Sequence, residues 1–391
     1  MPTSSMQTGT ASARALTWAA YISFVPIGIA TVLLGPMLPA LSARWSLNYA
    51  QAGALFNAQY LASTCAVALS GVLASKKGYR FPMKAGLLLM SAGLFLLLSG
   101  SRIVGIVCIG AYGAGLGLAV PPANLLVANV SPEGRSARLN LLNFFWSMGA
   151  VSCPFLVAAA SRSQKIPMFL MGVGAFSLLI AAGIAIMPSH IAEPAAAKET
   201  GRMLPLIRAN AGAFLVLGIL FLIYVGTENA FGGWVASYSK SLGSLAPAIA
   251  VMTPSFFYAS LMIGRWVAPA VLRMTGEIRL VQAGLLLACA GTTSLMFSHE
   301  LTGIALSACA AGLGLSSVYP ITIALLSTEF QSSRVGSIMF TLSNVGGGLL
   351  PWAVGVFSNR FGTIKAGLIV PLAGSLVMFT LYLRKWSRTA A

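Results

Sequence analysis

Long apolar stretches without a charged residue recur along the whole chain, and they constrain its fold more than any other feature. A helix of about 18 to 20 such residues crosses roughly 30 Å of hydrocarbon and satisfies its backbone hydrogen bonds internally. Only 8% of the 391 residues are charged and 57% are apolar, whereas soluble domains are about 25% charged. The sequence therefore predicts an all-α membrane protein.

The apolar stretches predict twelve transmembrane helices. We place them at 16–41, 50–75, 82–100, 103–130, 136–160, 167–188, 211–236, 247–272, 279–297, 301–328, 333–358 and 364–384. The first is too long for the apolar core of a cleavable signal peptide, so we expect it to be retained. One long polar connection separates the sixth and seventh helices. We therefore predict an N-terminal half at 1–190, a cytoplasmic linker at 191–210 and a C-terminal half at 211–391.

The distribution of Lys and Arg residues predicts the orientation, because basic residues accumulate in cytoplasmic loops. If each is assigned to the nearer loop or terminus, one side holds only Arg44, Arg102, Arg162, Lys165, Lys240, Arg360 and Lys365. The remaining 17 of the 24 basic residues, Arg265 among them, fall on the side of both termini. We therefore expect both termini in the cytoplasm, with the chain in the cell inner membrane.

Short fragments repeat between the predicted halves, as in many transport proteins built from duplicated units. Gly115-Leu-Gly-Leu118 recurs as Gly312-Leu-Gly-Leu315, and the pair Gly149 and Pro154 recurs as Gly346 and Pro351, both at an offset of 197 residues. Ala85-Gly-Leu-Leu-Leu89 recurs as Ala283-Gly-Leu-Leu-Leu287 at an offset of 198. Three matches in order favour a parallel duplication of six helices.

Several other classes of protein are disfavoured by the spacing of the reactive residues. The basic residues lie singly or in short runs between apolar segments, so no nucleic-acid surface is expected. The five cysteines lie inside apolar stretches without paired spacing, which argues against disulfides and metal sites. No phosphate-binding loop or catalytic triad is present. We expect no cofactor, no metal and no enzymatic activity.

The loop between the second and third predicted helices reads Gly71-Val-Leu-Ala-Ser75-Lys76-Lys77-Gly78-Tyr79-Arg80. It resembles the Gly-x-x-x-Asp-Arg/Lys-x-Gly-Arg/Lys-Arg/Lys motif of the major facilitator superfamily, and the resemblance covers nearly the whole chain. It implies that this segment is a gating loop, formed here by Gly71, Lys76, Lys77, Gly78 and Arg80. Ser75 takes the place of the acidic residue of the motif.

Two further fragments resemble the fucose-permease-like branch of sugar:proton symporters within that superfamily. They are Leu139-Asn-Leu-Leu-Asn-Phe-Phe-Trp-Ser-Met-Gly149 and Tyr224-Val-Gly-Thr-Glu-Asn-Ala-Phe-Gly-Gly-Trp234. The resemblance implies alternating-access transport of a small polar solute, with a sugar and a proton as partners. The branch commonly uses acidic residues in the first and fourth helices, and this chain has none there.

Glu228 is the one acidic residue of seven that falls in the interior of a predicted transmembrane helix. An ionisable group at membrane depth is costly and often belongs to a proton relay, so Glu228 is the candidate for proton coupling. The alternative is that Glu228 lies near the outer end of its helix and reaches water there. Arg265 is similarly open: it could pair with a carboxylate or bind an anionic solute, although such an arginine more often reaches the cytoplasmic interface.

Other polar and aromatic side chains in the predicted helices provide amide, hydroxyl and ring groups suited to a neutral polyhydroxy solute. The candidate solute-binding residues are Asn57, Tyr60, Asn124, Asn143, Trp146, Asn229, Trp234, Tyr258, Tyr319 and Asn344. The alternative for each polar residue is a hydrogen bond between helices, worth about 0.6 kcal/mol on average.

The sequence thus favours a secondary active transporter of a small polar solute, a sugar in the first instance, coupled to protons and acting as a monomer in the lipid bilayer. The first alternative is proton-driven efflux of drug-like compounds or other metabolites. An alternative of another class is a membrane receptor or scaffold that binds a solute without transporting it.

Overall fold

The computed structural model describes residues 3–129, 135–187, 203–330 and 333–383, and within these ranges every regular element is a helix. The helices are α1 (Thr3–Val32), α2 (Leu34–Trp45), α3 (Tyr49–Lys77), α4 (Arg80–Leu96), α5 (Arg102–Asn129), α6 (Arg135–Arg162), α7 (Ile166–Ile186), α8 (Met203–Ala209), α9 (Ala211–Ser241), α10 (Pro247–Met252), α11 (Pro254–Thr275), α12 (Glu277–Phe297), α13 (Leu301–Leu315), α14 (Val318–Glu329), α15 (Ser333–Phe361), α16 (Ile364–Gly367) and α17 (Ile369–Leu381).

The chain is a multi-pass membrane protein, as predicted. Eleven segments of the described residues are long and apolar enough to span a bilayer. The twelfth predicted helix, at 82–100, corresponds to α4, which has 17 residues. Large apolar side chains such as Ile103, Leu179 and Trp266 are exposed on their helices, as expected for surfaces that face lipid.

Four of the predicted transmembrane segments are each divided into two helices, and a proline follows each break. The breaks are at Leu33, Thr253, Ser316–Ser317 and Leu368, and the prolines are Pro36, Pro254, Pro320 and Pro371. Proline has no N–H group to donate to the carbonyl four residues earlier. None of these prolines can donate to the carbonyl four residues earlier, and in each case the preceding helix ends within two residues of that carbonyl. At the Thr253 break, Thr253 donates to the carbonyl of Ala250 in place of Pro254.

The first compact unit comprises the described parts of 1–33 and 58–197. In it, α1 packs along α6, and α4 packs between α5 and α7. The second unit comprises 34–57 and the described parts of 198–391. Here α9 packs along α15, α17 and α2, while α13 packs against α12 and α11.

These units differ from the predicted halves in one segment, because 34–57 groups with the second unit rather than the first. The predicted division at 1–190, 191–210 and 211–391 stays a prediction. Most of the predicted linker, at 191–202, lies outside the described residues, and 203–209 forms the short helix α8.

Repeated glycines make the same kind of contact in both units, which explains the sequence repeat. A Cβ on Gly149 would strike the carbonyl of Val25, and a Cβ on Gly346 would strike that of Leu222. Both partners are related by the offset of 197 residues. The close approach of the two helix backbones at each site therefore requires glycine.

A second glycine contact corrects one of the sequence matches. Gly86 of α4 packs on Gly115 of α5, and Gly284 of α12 packs on Gly314 of α13. The packing counterpart of Gly115 is thus Gly314, two residues beyond the Gly312 that the fragment match paired with it. The fragment match was displaced by two residues because Gly-Leu pairs recur at both places, in 115–118 and in 312–315.

Candidate functional site

Glu228 lies two residues past the centre of the 31-residue α9, and its side chain is only 12% exposed. It is therefore not at the outer end of its helix, which was the alternative left by the sequence. Since an ionised carboxylate in such a position needs a compensating partner, its neighbours define the site.

Arg265, near the middle of α11, supplies the opposite charge. Its Nη2 lies 3.6 Å from Oε2 of Glu228, and its side chain is 23% exposed. The interfacial position favoured for Arg265 from the sequence is wrong, because a tertiary partner on another helix holds it inside the span. Arg265 is therefore no longer counted among the basic residues of the cytoplasmic side. Sixteen basic residues remain on that side and seven on the other.

Tyr224 brings a hydroxyl to the two charges. It precedes Glu228 by one helical turn, so both side chains lie on the same face of α9. Arg265 donates from Nη2 to the Tyr224 hydroxyl at 3.2 Å, and this hydroxyl lies close enough to Glu228 to interact with the carboxylate electrostatically. Tyr224 is not among the residues predicted from the sequence, although its spacing of four residues from Glu228 is a visible signal.

Tyr319 of α14 completes the cluster from the opposite side. Its ring stacks on that of Tyr224 with centroids 5.1 Å apart. Tyr319 is one of the ten candidate solute-binding residues, and its ring contact with Tyr224 places it at this cluster. The arrangement is a largely buried acid–base pair beside two phenols, with a minor part of each charged side chain exposed.

The guanidinium of Arg265 still has an unused donor. Its Nε is buried and has no hydrogen-bond partner within the described part of the chain. The exposed fraction of Arg265 therefore belongs to other atoms of the side chain. A buried N–H without an acceptor is costly and uncommon, which marks this edge of the guanidinium as a site for a further acceptor.

Other candidates in the second unit are used for packing. Trp234 is fully buried and donates from Nε1 to the carbonyl of Pro351 at 2.9 Å. Tyr258 is buried, with its ring against Phe257, and the Asn229 amide donates to the carbonyl of Val225 at 2.8 Å. Asn57 and Asn344 are half-buried. Their solute-binding role stays a prediction.

Trp146 belongs to a polar network in the first unit that the sequence analysis did not recognise. It donates from Nε1 to the hydroxyl of Thr31 at 3.4 Å. Gln59 donates to the carbonyl of Thr31 at 3.2 Å and accepts from the hydroxyl of Tyr112 at 3.3 Å. The network links α1, α3, α5 and α6 through groups able to bind hydroxyls.

The remaining candidates of the first unit make local contacts. Tyr60 is buried, next in sequence to Gln59. The amides of Asn124 and Asn143 each donate to the carbonyl four residues earlier, at 2.9 Å, and Asn143 is exposed. A single sequence cannot distinguish such back-bonding from solute binding, because both use the same side chain at the same spacing.

The predicted gating loop combines exposed cations with one half-buried arginine that is held by hydrogen bonds. Gly71, Lys76 and Lys77 are exposed, and Gly78 adopts a φ of 73° at the turn. Arg80 donates to the carbonyls of Ile184 and Met187 at 2.8 and 2.6 Å, at the carboxyl end of α7. These carbonyls have no partner within their own helix, so Arg80 stabilises the last turn of α7.

Ser75, which replaces the acidic residue of the motif, donates to the carbonyl of Val72 at 2.9 Å. All five cysteines lie in described ranges and are free. Among the described residues no group of three or more His, Cys or Glu side chains is placed to bind a metal ion.

The model of the Major Facilitator Superfamily matches residues 20–351. The chain belongs to this superfamily. Among curated relatives, the multidrug efflux protein YfmO of Bacillus subtilis (strain 168) is 26% identical over 390 residues, with 93% of this chain and 91% of that protein covered. Members of the superfamily carry small-molecule solutes and are not enzymes.

Solved structures share the fold over nearly the whole chain. The fucose:proton symporter FucP of Escherichia coli is 21% identical, covers 95% of this chain and 98% of its own, and gives a TM-score of 0.64. The nucleoside transporter NupG is 14% identical, covers 95% and 97%, and gives a TM-score of 0.73. These likenesses confirm the predicted major facilitator fold.

Proposed function

We propose that this superfamily member is a proton-coupled transporter that moves a small polar solute by alternating access, with Glu228 as the group that binds and releases the proton. The observation that carries the proposal is the Glu228–Arg265 pair at the centre of α9, in contact with Tyr224 and partly open to solvent. A proton can reach such a carboxyl, and the carboxyl has a partner whose interaction depends on its charge.

Protonation of Glu228 removes the charge that Arg265 faces. Breaking a buried pair by neutralising one partner is strongly unfavourable unless another group compensates. The protonated and deprotonated sites therefore favour different arrangements of α9 and α11, and a ligand that discriminates between them shifts the equilibrium. This is the physical requirement for coupling a proton to a conformational change.

The solute is proposed to be small and polar, with a sugar as the first class to test. FucP is titled a fucose:proton symporter and NupG a nucleoside transporter, and both solutes carry hydroxyl groups. In this chain the Thr31, Gln59, Tyr112 and Trp146 network supplies donors and acceptors suited to hydroxyls. These features support a polyhydroxylated solute.

The test is transport by proteoliposomes under an imposed pH gradient. We expect Glu228→Gln to abolish proton-driven accumulation while counterflow exchange of the same solute survives, because the variant stays in the neutral form. Glu300→Gln is the matched control, since Glu300 is exposed in the loop before α13. Full accumulation by the Glu228 variant contradicts the coupling assignment.

The orientation and location are part of the proposal. We place both termini on the cytoplasmic side of the inner membrane, because the excess of basic residues on that side persists without Arg265. Reporter fusions after residues 162 and 329 distinguish the two sides: activity of an exported reporter is expected only after residue 162. The opposite pattern contradicts the orientation.

Proton-driven efflux is the second candidate, favoured by the match to a protein named for multidrug efflux. The same Glu228 would then release its proton inward as a compound leaves. Expression in a strain lacking its own pumps separates the two functions: resistance that disappears in Glu228→Gln supports efflux, and unchanged susceptibility with uptake of a sugar supports import. Solute binding without flux in either assay would indicate a receptor.

A further inference from the structure

Charge balance at the Glu228–Arg265 pair has a consequence for the solute. A guanidinium stays protonated under all physiological conditions, and Glu228 is the carboxylate that faces it. Among the described residues, the phenols of Tyr224 and Tyr319 also lie beside the pair. When Glu228 takes up a proton, none of these groups can replace the missing negative charge.

The guanidinium of Arg265 has a donor left for a second anion. The same Nη2 serves both Tyr224, at 3.2 Å, and Glu228, at 3.6 Å, while Nε is buried without a partner. A distance of 3.6 Å is longer than a direct hydrogen bond, so Glu228 does not occupy the guanidinium in the bidentate manner that a carboxylate prefers. The Nε–H of the planar fork is therefore left for a further acceptor, beside the Nη2 that Tyr224 and Glu228 share.

We propose that the transported solute is a small hydroxylated monocarboxylate, of the sugar-acid class, whose carboxylate binds the Nε edge of Arg265 when Glu228 is protonated. This inference rests on the proposed function and narrows its solute. The proton neutralises Glu228 and the solute anion neutralises Arg265. One proton and one monoanion then move together, and the transport cycle carries no net charge.

Direct binding to purified protein tests the first part. Glu228→Gln fixes the neutral form and leaves Arg265 without a charged partner. We expect D-gluconate or D-glucuronate to bind this variant about tenfold more tightly than the wild type at neutral pH, while D-glucose shows no such gain. Glu300→Gln should bind like the wild type. An equal gain for D-glucose, or none for either acid, overturns the proposal.

Transport by the unmodified protein tests the second part and does not depend on the folding of a variant. Proteoliposomes receive a pH gradient, with the membrane potential set to zero or to about 100 mV, inside negative. We expect sugar acids to accumulate at rates that the potential leaves unchanged. Potential-driven accumulation of neutral sugars, or no uptake of any sugar acid, overturns the solute class.

The same liposomes distinguish failure of the inference from failure of the proposed function. If the pH gradient drives neutral sugars and Glu228→Gln abolishes this, proton coupling stands and the anionic solute is wrong. If uptake is independent of the pH gradient and of Glu228, the proposed coupling is wrong, and the inference fails with it.

Discussion

At the scale of single residues, the charges of Glu228 and Arg265 should stabilise the fold only together. Arg265→Gln leaves a carboxylate that is 12% exposed without its counter-charge, and breaking a buried pair in this way costs about 3 to 5 kcal/mol, less where solvent reaches the group. The double variant Arg265→Gln with Glu228→Gln should recover most of this loss. Thermal unfolding in detergent measures both proteins.

A double variant as unstable as Arg265→Gln, or less stable, would show that the pair is not coupled. Lys365→Gln is the control for loss of one positive charge. Lys365 is half-buried and lies over the ring of Phe297, and it has no carboxylate partner among the described ion pairs, so its replacement should change the unfolding temperature less than Arg265→Gln does.

The sequence identified Glu228 because a carboxyl inside an apolar stretch stands out by itself. It did not place Arg265 or Tyr224 beside it, since a partner on another helix is set by packing that no local pattern records. Trp234 illustrates a second limit of the sequence. The hydrogen bond from its ring N–H to the carbonyl of Pro351 joins residues 117 positions apart, which no local pattern records, and its solute-binding role stays a prediction.

At the scale of the helices, close glycine contacts should determine how α4 and α5 pack. A Cβ on Gly86 would meet the carbonyl of Gly115 and the backbone of Ala119, so Gly86→Ala should destabilise the protein by about 1 to 3 kcal/mol. Gly172→Ala is the matched control, because nothing lies within 4 Å of a Cβ on Gly172 of α7.

The control variant should be neutral or slightly more stable, because alanine is favoured over glycine in a helix by about 0.5 to 1 kcal/mol. Equal effects of the two substitutions on the unfolding temperature would contradict the close-packing argument. The comparison separates the contact from the general effect of a methyl group on helix propensity.

Each predicted transmembrane segment coincides with helix in the described residues, because length and apolarity are properties of the sequence itself. The breaks at Pro36, Pro254, Pro320 and Pro371 were not predicted. Other prolines, such as Pro154 and Pro351, lie inside unbroken helices. Whether a freed carbonyl ends a helix or is accommodated depends on neighbouring helices, which a proline position alone does not reveal.

At the scale of the whole molecule, the repeat relates the two polar networks. The offset of 197 residues that relates the Val25–Gly149 contact to the Leu222–Gly346 contact places Thr31 at the position of Glu228. It likewise places Trp146, which donates to Thr31, at the position of Ser343. The two units therefore use equivalent positions for different chemistry: an uncharged hydroxyl in the first and a charged pair in the second.

This division predicts that the first unit contributes to solute affinity and not to proton coupling. Thr31→Val removes the acceptor of Trp146 and should raise the KM for the transported solute about tenfold, with the dependence on the pH gradient unchanged. Thr64→Val is the matched control, because Thr64 bonds to the carbonyl four residues earlier, as Thr31 does. Lost proton dependence in the Thr31 variant would contradict the division.

The described transmembrane segments hold a single carboxyl in their interior, and this limits the free energy that a proton gradient can supply to transport. If Glu228 carries the proton, each cycle moves one proton, and an electroneutral cycle draws only on the pH difference. One pH unit corresponds to about 1.4 kcal/mol, which sustains a concentration ratio of about tenfold for the solute. A cell using this protein could collect a moderately scarce solute. A steeper solute gradient would require a larger pH difference or a second carboxyl, and the interior of the described transmembrane segments contains no second carboxyl.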